Sequence, residues 1–211
     1  MIVGTESVQE CHHRVYSSLA TYIVPVTGDS MKQSFTVLVF CLLAATANAD
    51  VTHAGPGGFT TEHELVIAAG RGRVWQAAID EVGQWWSDDH TISGDAARMS
   101  IDARPMGCFC EDLAGNDGVV HLVVTSVSGN IMLRMTGGLG PLGLMGVTGN
   151  MTWEFFDEGD GTRVKFTYAV GGYRPGGLAG IAVPVDYVIG EALGLLKAHV
   201  EGTDMNKAAI D

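Results

Sequence analysis

The apolar run over residues 178–200 constrains the fold more than any other stretch of this chain. Placed round a helix at about 100° per residue, Val188, Ile189, Ala192, Leu193, Leu195, Leu196 and Val200 fall on one side. Asp186, Gly190, Gly194, Lys197 and Glu201 fall on the other. The pattern predicts an amphipathic helix of about six turns. Nearly everything over residues 59–172 reads as strand, so the helix must lie on a sheet, and its wide apolar side calls for a concave one.

Upstream, residues 60–68 are β-branched and loosely alternating and predict a first strand. Val74, Trp75, Ala78, Ile79, Val82, Trp85 and Trp86 recur at helical spacing, and a second short helix or turn is expected from Ser87. Strands are then expected over 98–103, 108–113, 119–127 and 131–136, and a hairpin over 148–156 and 162–170. Glycine, asparagine and aspartate mark the turns between them. Residues 137–146 hold five glycines and a proline yet carry Leu139, Leu142, Leu144 and Met145, an apolar content foreign to a solvated loop. The order strand, two helices, meander, long helix predicts an α+β fold: a curved antiparallel sheet of about six to seven strands round the last helix.

Residues 31–49 have the form of an export signal. Lys32 precedes an apolar run over 35–45, and Ala47-Asn48-Ala49 matches a small-x-small cleavage site. The run is too short for an ordinary transmembrane helix, and Phe40 before Cys41 argues against lipid attachment there. This reading takes residues 1–30 as an upstream extension with the true start at Met31, 50–58 as a linker, 59–202 as the domain and 203–211 as a tail. It places the protein in the periplasm or outside the cell, with no stable membrane insertion. A net charge of −12 excludes nucleic acid and anionic membrane surfaces as partners.

Several groups suggest chemistry. Cys108 and Cys110 share one face of a strand, and a hairpin through Asn116 brings Cys110 opposite His121 if the register holds. Two readings stay open: soft metal ligands, or two small buried cysteines beside a core histidine. Without CxxC, HExxH or a second cysteine pair, no metal or other cofactor is expected. A disulfide between residues two apart in one strand is expected to be too strained to form, leaving shielded thiols. His90, beside Asp88 and Asp89, and Glu111 and His121 are the candidates for acid–base work. No G-x-S-x-G elbow or phosphate loop is present. Trp86, Met135, Trp153, Tyr168, Val185 and Ile189 are candidates to line an apolar pocket, with Cys108, Cys110, His121 and His199 as its polar or soft groups.

The chain resembles the START-like, or SRPBCC, superfamily. The resemblance rests on Val74-Trp75-Gln76-Ala77, Trp85-Trp86, Pro105-Met106-Gly107-Cys108-Phe109, Gly161-Thr162-Arg163-Val164 and the closing helix, in that order. It implies a helix-grip fold whose sheet wraps the last helix round a cavity for an apolar small molecule. It also implies three functions: binding of a lipid or an aromatic, polyketide-like ligand; a polyketide cyclase/dehydrase activity through His90, Glu111 or His121; and partnership with a heat-shock chaperone, which export disfavours. Binding is the expectation carried forward. Pro184 adds a further one, that the regular helix begins there or that residues 178–183 form a separate bent segment.

Overall fold

The computed structural model describes residues 49–203. The expected upstream extension, the signal segment up to Asn48, and all of the tail beyond Thr203 lie outside the described residues. The strands are β1 (Ala49–Gly55), β2 (Gly58–Ile67), β3 (Met99–Ile101), β4 (Cys108–Asp112), β5 (Gly118–Ser128), β6 (Met132–Gly137), β7 (Gly146–Glu158) and β8 (Gly161–Tyr173). The helices are α1 (Arg71–Asp80), α2 (Val82–Trp85) and α3 (Ala179–Glu201), with short 3₁₀ turns at Asp88–His90, Ala96–Arg98 and Gly140–Leu144.

All eight strands form one antiparallel sheet in the order β1-β2-β8-β7-β6-β5-β4-β3. The chain leaves β2 near one edge, crosses the sheet through α1 and α2, and re-enters at β3 on the far edge. It then meanders back to β8, beside β2, and α3 packs across β2 and β1 and against α1 and α2. This is the helix-grip arrangement. The sheet has more strands than expected because residues 50–58 are no linker: Val51 to Gly55 pair with Thr61 to Gly58 round the Pro56-Gly57 turn. An edge strand without apolar alternation gives little sequence signal.

The helical spacing over 74–86 is split at Glu81, which caps α1 with non-helical dihedrals and binds Arg73 through both carboxylate oxygens at 3.0 Å. α3 runs unbroken from Ala179 through Pro184, so neither expectation for Pro184 holds. The proline ring has no N–H for the Gly180 carbonyl, and one helical bond is missing there. By length and composition α3 would also pass as a membrane span. In this fold, however, it carries a polar contact to the sheet: His63 Nε2 lies 2.8 Å from Asp186 Oδ1.

The core lies between sheet and helices. Trp85 and Trp86 close one half of the concavity, with ring centroids 6.2 Å from Trp153 and 5.3 Å from Phe109. Trp153 in turn packs edge-on to Phe166 at 5.2 Å, and Trp75 covers Phe155 at 5.3 Å. Ile189, Ala192, Leu193 and Leu196 of α3 complete the layer. Burial of these aromatic rings, with the aliphatic side chains round them, stabilises the domain.

Candidate functional site

Open space lies beside the first half of α3. There a cavity of about 500 Å³ lies between α3, the 88–92 segment and the glycine-rich 137–146 segment. Ile181, Pro184, Val185, Val188 and Ile189 form its helical wall. Trp86 and Ile92 form a second side, and Leu139, Pro141, Leu142, Leu144 and Met145 a third. The volume suits a small organic molecule. A separate hollow of about 430 Å³, lined by Thr60, Thr148, Asn150 and Ala169, is an open groove on the outer face of the sheet.

The third wall is held from beneath by buried polar groups. Tyr168 Oη accepts from Leu139 N–H and donates to Gly137 O, both at 3.1 Å. Burial pushes the phenol above its usual range, so it keeps the proton it donates. Gly140 N–H donates to His121 Nδ1 at 3.3 Å. Because Nδ1 accepts, Nε2 carries the proton, and it donates to Glu111 Oε2 at 3.0 Å. Glycine is needed within this wall: a Cβ on Gly138 would lie 2.6 Å from Gly143 N.

Glu111 extends the same network to the second side. Its carboxylate accepts from Ile92 N–H at 3.0 Å and, at short range, from Ser93 N–H. Burial pushes its pKa up, but the hydrogen bonds from Ser93, Ile92 and His121 outweigh this and hold it at about 2. Glu111 and His121 are 1 % and 3 % exposed, and their hydrogen bonds are made to the protein itself. They anchor two cavity walls to β4 and β5. Neither is among the residues that line the cavity.

His90 alone of the acid–base candidates lines the cavity. Its Nε2 lies 2.7 Å from Glu191 of α3, and its carbonyl accepts from Trp86 Nε1 at 3.1 Å. Trp86, Val185 and Ile189 also line the cavity, whereas Met135, Trp153 and Tyr168 are core side chains that do not reach it. Trp85 and Phe166 pack against Trp153 where a cavity was expected beside it.

The cysteines require correction. Phe109, between them, points inward, so Cys108 and Cys110 face the opposite side of the sheet, away from the cavity. They form a disulfide, with Cα atoms 5.4 Å apart. That separation falls within the roughly 4.4–6.8 Å that a disulfide spans. Cys110 pairs with Val120, not His121, because His121 is an extra residue where the β4–β5 register shifts. His199 is also placed elsewhere: it binds Glu81 at 2.6 Å, and this hydrogen bond, with Arg73, lowers the Glu81 pKa. Among the described residues no cluster of three or more His, Cys, Asp or Glu could hold a metal.

The sequence reading overlooked Thr61, His63 and Asp186, which join β2 to α3, and Glu191, the partner of His90. An alternation in β2 that places Phe59, Thr61, His63 and Ile67 on one face was the available signal. Two polar residues in an inward register imply a polar partner on whatever covers them.

Neither a family model nor a curated protein sequence matches the chain. Solved structures do. A conserved protein of unknown function from Enterococcus faecalis matches with TM-score 0.50 at 14% identity, over 74% of this chain and 77% of that one. A protein from Chromobacterium violaceum matches with TM-score 0.50 at 16% identity, over 67% of this chain and 96% of that one. A protein in the dynemicin biosynthetic locus overlaps more loosely, with TM-score 0.47 at 17% identity, over 67% of this chain and 47% of that one. At these identities the likeness is one of fold, and the last carries no functional information.

Proposed function

We propose that this chain is a START-like (SRPBCC) ligand-binding protein that holds a small apolar molecule between α3 and the 137–146 segment. The observation that supports this most is the cavity itself: its walls are apolar apart from one corner at residues 89–91, and buried hydrogen bonds brace two of them. A protein stabilised only by packing has no use for an apolar space of about 500 Å³, since such a void forfeits contacts on every side. The pattern of Lys32, the 35–45 run and Ala47-Asn48-Ala49 supports the further proposal that the protein acts outside the cytosol.

The test is binding of the neutral fluorophore Nile red to the purified protein and to Val188→Trp, which fills the space from its helical wall. Blue-shifted, saturable fluorescence in the wild type that is lost in the variant, with an unchanged circular dichroism spectrum, is the expected result. Equal binding by both proteins, or none by either, would remove the cavity from the account.

A cyclase or dehydrase activity has one observation in its favour. A carboxylate at 2.7 Å orients the His90 imidazole at the cavity wall, the arrangement a general base requires. Turnover that depends on His90 would decide for that reading.

A further inference from the structure

The few polar groups facing the cavity have one character in common. Among the described residues, Asp89, His90 and Thr91 supply the polar side chains of its lining, and no Lys or Arg does so. Asp89 is an exposed carboxylate and only accepts. His90 Nε2 donates to the Glu191 carboxylate at 2.7 Å, and in the tautomer that makes this hydrogen bond Nδ1 is an acceptor. Thr91 Oγ1 donates its proton to Asp88 O at 2.8 Å, so its lone pairs are what it has left to offer. The neighbouring donors are committed as well. Trp86 Nε1 donates to His90 O, Ile92 N–H to Glu111, Leu139 N–H to Tyr168 and Gly140 N–H to His121.

We infer that the cavity selects an amphiphile whose polar end is a hydrogen-bond donor, a hydroxyl or an amine, and rejects one that ends in a carboxylate. The inference rests on the binding reading above and deepens it. A donor head at the 89–91 corner finds acceptors on three side chains while the tail occupies the space beside Val185 and Val188. A carboxylate head there finds no Lys or Arg among the described residues, stands beside Asp89 and Glu191, and loses its hydration without replacement. A site built to pair a donor discriminates strongly against a head that cannot supply one.

The experiment displaces Nile red from the full chain with three straight-chain amphiphiles of equal length, dodecanol, dodecylamine and dodecanoate, at neutral pH and below micelle formation. Alcohol and amine are expected to displace the dye at concentrations about tenfold or more below those the carboxylate needs. Asp89→Lys is exposed and so spares the fold, and it is expected to close or reverse the gap between amine and carboxylate. His90→Phe is expected to narrow the gap between alcohol and carboxylate, each read relative to the variant's own dye affinity. Displacement by dodecanoate as effective as by the other two, with the dye still bound in the cavity, would overturn the inference and leave the binding reading intact. Absence of dye binding in the wild type would instead overturn the binding reading, and this inference with it.

Discussion

His63 Nε2 lies 2.8 Å from Asp186 Oδ1, and the edge of the same imidazole ring faces Gly190 one turn further along α3. A Cβ on Gly190 would lie 3.1 Å from His63 Cε1, so the glycine lets the ring tuck beneath the helix. Gly190→Val is expected to destabilise the protein by about 1–3 kcal/mol in urea unfolding, through overpacking against His63. Gly180→Ala, with nothing within 4 Å, should instead be neutral or gain up to about 1 kcal/mol.

Glu111 makes the fold acid-sensitive. Its pKa falls from 4.5 to about 2 on folding, so its contribution is fully present above about pH 4.5 and is lost as pH falls towards 2. The shift corresponds to about 3 kcal/mol. Urea denaturation across that window should show the wild type losing about this much more than Glu111→Gln. The lowered pKa values of Glu81 and Glu201 act in the same sense and should leave a residual slope in the variant.

Tyr168→Phe removes the acceptor for Leu139 N–H and the donor to Gly137 O while keeping the ring in the core. A cost of about 1–3 kcal/mol is expected. More telling is where it falls: hydrogen exchange at Leu139 should accelerate, and Nile red should leave the cavity faster, while exchange in β2 stays unchanged.

The disulfide encloses a single residue, so it restricts the unfolded chain little. The double variant Cys108→Ser, Cys110→Ser should lose no more than about 2 kcal/mol. Because both side chains face away from the cavity, Nile red affinity should be unaltered. A large loss of affinity would mean that this strand governs the cavity from its outer side.

The fold was legible because its strongest signals are periodic: the stripe on α3, and the alternation of Trp153 and Phe155 with Thr152 and Glu154 in β7. The apolar 137–146 segment also announced itself, since leucines in a glycine-rich stretch have no reason to face water. The site was less legible. Whether Trp153 and Tyr168 border a void or fill it depends on how far Trp85 reaches across the sheet, a matter of three-dimensional volume. The Cys110–His121 pairing failed on one register shift, and the His90–Glu191 pair spans 101 residues, beyond any local pattern. Trp153 Nε1 is buried without a partner, and nothing in the structure explains it.

The register shift at His121 has a counterpart at Thr125, and together they set the phase of β5. Val119 and His121 point inward on odd numbers, Leu122 and Val124 on even ones, and Val127 on an odd number again. Two half-cycle slips cancel, so the ends of the strand stay in step although its middle is out of step with both. Point substitutions in this strand should therefore be judged one at a time. Deleting His121 or Thr125 would only remove a bulge and leave the flanking pairs in register, whereas deleting a paired residue between them, such as Val123, would turn part of β5 inside out against its neighbours.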